Sequence, residues 1–358
     1  LLADFNADTF PMALRVLACL TLFLLVPGQA ALACKYQPGP FLQQLAAVSK
    51  ACTHSLCGRI YPTAPVDPAT AKSSCSDEPW MRFRSDVTAA LSAHGALLLG
   101  EMHDNPAHHL LQAAAVTEFA VSGSKNVPAI VFEQIRDDQQ AGPDRFADFN
   151  RNATRLATVG DLKRFLDWDK SGWPKDIYDP LFKAVIADKL AIYPGDVPRA
   201  AIMKTAKKGE SSLPAAERTR LGLDSPLGAR LDAASIKEIE DSHCGAMPKS
   251  AFGGMAYAQR YRDAHLADAV LKASDRHGGA FLIAGTEHVR TDRGVPWYLR
   301  QRASGKKVVS LMFVEVEDGN TDPGSYVPRD PDGKPAADYL VFTPRADRPD
   351  PCERMRRK

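Results

Sequence analysis

From Trp80 to about residue 345 the chain repeats one arrangement: a short, continuously apolar run, then a stretch of helical character. The runs are 96–99, 129–132, 190–193, 280–284, 308–316 and 339–342. A strand that is apolar at every position has no face to give to water, so it must be covered on both sides. Such runs separated by helices predict an α/β fold, a mainly parallel sheet flanked by helices. The helices are marked by their ends and faces. Asp104-Asn105-Pro106 offers a cap and a first-turn proline ahead of the stretch 108–119. Residues 255–273 form a second strong helical segment, and 41–48 a short one. Residues 136–185, with Trp168, Trp173 and Tyr178, and the polar, Gly/Pro-punctuated residues 204–250 read as helical insertions.

The N-terminal part has a different character. Residues 12–26 read MALRVLACLTLFLLV, with Arg15 ahead of the apolar run 16–26. Pro27, Gly28 and Ala31-Leu32-Ala33 follow. These are the three regions of a secretory signal, and the run is short for a membrane span. Residues 1–11 precede the expected start at Met12. Cleavage after Ala33 leaves Cys34 first, and residues 31–34 also read as an imperfect bacterial lipobox that would make Cys34 a lipid anchor. Six cysteines then remain: Cys34, Cys52, Cys57, Cys75, Cys244 and Cys352. In an oxidising compartment they are expected as disulfides, four within the Cys-rich N-terminal arm and Cys244 with Cys352. Cys52, His54 and Cys57 lack a second ligand pair at zinc spacing. The expected segments are a signal peptide at 12–33, the arm at 34–79, the α/β domain at 80–346 and a basic tail at 347–358. A composition of 45% hydrophobic and 25% charged residues is that of a globular protein. A net charge of +2 gives no bulk electrostatic support for a nucleic-acid partner.

Chemistry collects where the apolar runs end. The first ends in Gly100-Glu101-Met102-His103 and the fourth in Gly285-Thr286-Glu287-His288. The second ends in Glu133 and the third reaches Asp196. Parallel strands share one C-terminal edge, and ligands bind in the crevice beyond it. His103, Glu133 and His288 then form a set of two imidazoles and a carboxylate that suits Zn²⁺, Mn²⁺ or Fe²⁺. The alternative for Glu133 is a helix cap or a pair with Arg136 or Arg290. Gly100 and Gly285 are expected to let the backbone turn sharply. His108 and His109 lie in a first helical turn, which suits a carboxylate or propionate. On the 255–273 helix, Gln259, Arg262 and Asp263 share one face. Tyr257, Tyr261 and His265 share another, which either reaches a cofactor or packs. Arg290, Asp292 and Arg293 offer an anion clamp. No G-x-S-x-G, Walker A, G-x-G-x-x-G, C-x-x-C or H-E-x-x-H motif is present.

The stretch GEMHDNPAHHLLQ (100–112) resembles the opening motif of the ChaN-like haem-binding uptake proteins of the Tiki/ChaN superfamily. SGWP with Tyr178 and Pro180, the Asp-Val-Pro-Arg at 196–199, HCG and AQRYRDAHLADAV (243–245 and 258–270), AGTEHVRTDRGVPWYL (284–299) and DYLVFTPR (338–345) follow in the family's order. The resemblance covers about 82–345 and departs at Asp196, where Asn is expected, and in the imperfect lipobox. It implies an exported protein of a Gram-negative bacterium, periplasmic or lipid-anchored to the outer membrane and tied to haem or iron uptake. It also implies haem as ligand, a homodimer, an outer-membrane haem transporter as partner, and tyrosine ligation of iron. Tyr178, Tyr193, Tyr257 and Tyr261 are the candidates. His103, Glu133 and His288 carry over as the superfamily's site positions. Two readings stay open, a haem-binding protein and a metal-dependent, Tiki-like hydrolase in which Glu101 or Glu287 serves as base.

Overall fold

The computed structural model describes residues 37–64, 78–120, 127–350 and 352–353. The expected signal segment, Cys34 and Cys75 lie outside them. The arm supplies α1 (Pro40–Ala51) and β1 (Ile60–Pro62). Next come α2 (Pro79–Ser92), β2 (Ala96–Glu101), α3 (Pro106–Ala120) and β3 (Ala129–Arg136). The first insertion contributes α4 (Ala141–Asn152), α5 (Val159–Phe165) and α6 (Asp179–Ala187), and leads into β4 (Ile192–Asp196). The second contributes α7 (Arg199–Lys208), α8 (Ala215–Leu221) and α9 (Ala229–Ser242), ahead of the long α10 (Lys249–Arg276). β5 (Ala280–Gly285), α11 (Val295–Arg302), β6 (Val308–Glu315) and β7 (Tyr339–Thr343) follow.

The strands form one sheet in the order β1-β7-β6-β2-β5-β3-β4. β1 alone is antiparallel; the other pairings among the described strands are parallel. All residues of β2 and β5 are buried, as strands covered on both faces must be. Asn105 caps α3, its Oδ1 accepting the Ala107 N–H at 2.9 Å. Pro106 then takes the first helical position, where no N–H is required.

Three local differences from the sequence reading have physical causes. β3 continues through Glu133 to Arg136, because Glu133 and Gln134 are hydrogen-bonded inside the protein and need not leave the sheet. β4 begins at Ile192 rather than 190, because Lys189 adopts φ +53° and Leu190 closes α6 with a bond to the Val185 carbonyl. β1 is short and ends in proline, which suits an edge strand. The arm residues belong to the common core: Phe41 is fully buried against Trp80 and Phe83, with ring centroids 5.8 and 5.7 Å apart. Disulfides join Cys52 to Cys57 and Cys244 to Cys352. Among the described residues no helix is long and apolar enough to cross a membrane.

Candidate functional site

β2, β5, β3 and β4 are neighbours, so their C-terminal ends form a continuous edge. Glu101 pairs in register with Gly285, and Phe132 with Ile283, which brings the ends of three strands to one level. The two G-x-x-H motifs meet here, but their glycines do not turn the chain as expected. Both lie within strands, and Gly285 has an ordinary φ of −59°. They serve close approach instead. A Cβ on Gly100 would stand 2.4 Å from Val289 Cγ2, and one on Gly285 2.9 Å from His103 Nε2. Each glycine makes room for the other motif.

His103, Glu133 and His288 come together. His103 Nε2 lies 3.8 Å from Glu133 Oε2, and His288 Nε2 3.3 Å from Glu133 Oε1. α10 inserts three side chains among them. Asp263 meets His288 Nδ1 at 2.6 Å, and Gln259 Nε2 lies 3.2 Å from the same ring. The Arg262 guanidinium donates to Glu133 Oε1 and to Asp196 Oδ2, each at 2.7 Å. Gly285 N–H donates to Glu133 Oε2 at 2.7 Å. The Arg262 guanidinium thus supplies positive charge between two carboxylates, Glu133 and Asp196. The expected metal triad is instead a compensated ion-pair cluster: among the described residues no group of three or more His, Cys, Asp or Glu is placed to hold a metal ion. Burial opposes charge on His288, but Glu133 and Asp263 outweigh it and push its pKa up to about 10. Burial also opposes charge on Glu133, yet the two imidazoles and Arg262 hold it well below the usual carboxylate range.

Glu101 is fully buried and spent within the protein, so it does not reach a substrate as a base. It accepts from His103 Nδ1 at 2.8 Å, Gln112 Nε2 at 2.6 Å, Gln134 Nε2 at 2.9 Å and Tyr178 Oη at 2.5 Å. Burial would raise its pKa, but the bonds from His103 and His109 hold it well below the ordinary value. Neither His108 nor His109 faces the crevice. His108 accepts the Met102 N–H at 2.9 Å and reaches Thr343 Oγ1 at 2.9 Å, tying α3 to β7. The His109 ring lies tilted against that of Tyr178, with centroids 4.0 Å apart, and reaches the His103 carbonyl at 3.1 Å. Of the motif histidines, His103 is the accessible one. Its side chain is 36% exposed, and its ring lies 4.8 Å from that of Trp173.

The remaining candidates divide. Arg290 is not a free clamp, because it binds Asp292 at 2.9 Å and the Arg329 carbonyl at 3.0 Å. Glu287 pairs with Arg293 at 2.8 Å, and burial raises its pKa. His265 Nδ1 lies 3.1 Å from the Gly195 carbonyl, with Tyr261 edge-on to its ring. Among the candidate tyrosines, Tyr178 is spent on Glu101 and Tyr193 Oη lies 3.2 Å from His277 Nε2. The Tyr257 hydroxyl is buried, with no hydrogen-bond partner among the described residues.

Two cavities flank the cluster and share Glu287. One, of about 270 Å³, lies between α9 and α10 and is lined by Gln259, Arg260, Asp263 and Arg293. The other, of about 210 Å³, is mainly apolar, with Met102, Met312, Phe313, Tyr326 and Leu340. In the sequence Arg262 and Asp263 are marked only as members of a helix face. The i, i+3, i+4 spacing with Gln259 was the available signal. Gln112 and Gln134 carried no signal of their own.

The fold is that of a mainly parallel α/β protein whose strand ends form one edge. Residues 87–299 match the family described as haem-binding uptake, Tiki superfamily, ChaN, and the chain belongs to that family. Its structure is similar to that of ChaN of Campylobacter jejuni, described with cofacial heme binding. That likeness has 19% identity and a TM-score of 0.54, over 72% of this chain and 90% of that one. Two remoter likenesses are a succinoglycan biosynthesis protein, with 11% identity, TM-score 0.37 and 77% and 75% coverage, and a Bacillus cereus protein, with 16%, 0.33, and 79% and 76%. No curated protein sequence matches the chain.

Proposed function

We propose that this chain binds haem as cargo in the crevice beyond the C-terminal edge of its sheet, and that it does so after export. The carrying observation is the contrast at the strand ends. The charged floor is compensated internally, while the His103 and Trp173 rings lie against each other at its rim, with His103 partly exposed. The apolar cavity lined by Met102, the residue before His103, lies at the same strand-end edge. Planar rings and an apolar wall suit a porphyrin face, and cationic side chains suit its propionates. Neither cavity reaches the roughly 300–1,000 Å³ of clefts that enclose a ligand. A haem held here keeps one side open, which suits the second subunit implied by the family resemblance and the cofacial arrangement described for the Campylobacter jejuni protein. Export rests on the apolar run 16–26 with its Ala-x-Ala site and on the two disulfides.

Hemin titration of the mature protein, followed through the Soret band, tests this reading. Wild-type protein should saturate, and His103→Ala and Trp173→Ala should each weaken binding. A wild-type protein that leaves the hemin spectrum unchanged overturns the proposal.

A further inference from the structure

The cavity between α9 and α10 has a feature that the charged floor lacks, a cation without a counter-ion. Arg260 Nε donates to Tyr298 Oη at 3.1 Å, and one Nη to the Ser225 carbonyl at 2.8 Å. Its guanidinium carbon lies 5.9 Å from the Tyr257 ring centroid. Among the described residues no carboxylate makes an ion pair with it. Neutral acceptors therefore hold the guanidinium in place, and it lines the cavity partly exposed and with no ion-pair partner. The other charged groups lining the cavity are mostly committed: Asp263 to His288 at 2.6 Å and Glu287 to Arg293 at 2.8 Å. Glu238, on α9, is the remaining carboxylate in the wall. α9 contributes no fully buried residue, so it covers the cavity without being locked into the core.

We propose that this cavity is a carboxylate-binding subsite in which Arg260 is the anion partner. At about 270 Å³ it has room for a carboxylate arm and not for a macrocycle. Nε and Nη2 already donate to Tyr298, Ser225 and Leu223, which leaves Nη1 to meet a carboxylate in a charge-assisted hydrogen bond. Glu238 opposes the incoming charge and sets how tightly it is held. The assignment of the arm to a haem propionate rests on the function proposed above. The carboxylate chemistry of the cavity does not.

The experiment uses the full disulfide-bonded chain and three probes: sodium propionate, metal-free protoporphyrin IX and its dimethyl ester. Porphyrin without iron removes any contribution from ligation. Propionate should shift the Arg260 Nε–H resonance in a ¹⁵N spectrum of the wild type. Arg260→Gln should weaken the diacid porphyrin roughly ten- to a hundredfold, the range for hydrogen bonds to charged groups, and leave the ester unchanged. Glu238→Gln should tighten the diacid alone, a readout that survives if the arginine variant folds poorly. Equal effects on diacid and ester, or an Arg260 resonance that propionate does not move, overturn the subsite. If propionate moves the resonance while neither porphyrin binds, the subsite stands and the haem reading falls.

Discussion

His108 and His109 are adjacent in sequence, sit in the same helical turn and differ in chemistry. His109 faces the ionised Glu101, whereas His108 has only neutral partners. Burial therefore lowers the His108 pKa to about 3. In the unfolded chain the same imidazole takes up a proton near 6.5, so the unfolded state binds the proton first as pH falls. The folded protein accordingly loses stability between about pH 6.5 and pH 3, by at most on the order of 4–5 kcal/mol. Urea unfolding at pH 7, 5.5 and 4 checks this. His108→Asn should show a shallower loss with acid than the wild type, and parallel curves would contradict the neutral, buried histidine. This residue also marks a limit of reading from sequence. The positive end of a helix suggested an anion partner for it, while the fold placed Thr343 and Phe313 around it.

Among the elements, α10 does most to build the site. Its residues 259, 262 and 263 point at the strand ends, and Arg262 bridges the ends of β3 and β4 through Glu133 and Asp196. Removing one partner of a buried ion pair leaves uncompensated charge, which costs about 3–5 kcal/mol. Arg262→Met should destabilise the protein by that order at pH 7 in chemical denaturation. Adding Asp196→Asn should recover part of the loss, because one carboxylate then no longer needs a cation. No recovery would show that the two side chains do not act as one pair. The face itself was legible, since the spacing of Gln259, Arg262 and Asp263 follows from helical geometry. Its destination was not, because a helix face does not say which strand it will meet.

Across the whole molecule, the Cys244–Cys352 bridge closes a loop of sequence separation 108 and ties the segment after α9 to the C-terminal residues. Cys52–Cys57 spans only 5. Loop-closure entropy favours the longer bridge, and typical disulfides contribute about 2–4 kcal/mol. The double variant Cys244→Ser/Cys352→Ser should lower stability within that range, measured by denaturant unfolding. Cys52→Ser/Cys57→Ser should cost less. The reverse order would place the main constraint in the arm.

The apolar runs by themselves determined the parallel sheet and the edge where its strands end, because a strand apolar on both faces has only one kind of environment available. They also placed His103, Glu133 and His288 at that edge, since each follows or extends a run. What those side chains became there was decided by contacts between residues distant in sequence. Arg262 reaches Glu133 across 129 positions, and Tyr178 reaches Glu101 across 77. Charge compensation in a buried site depends on which partners the fold holds within hydrogen-bond distance. That is a property of tertiary packing, and local pattern carries no record of it.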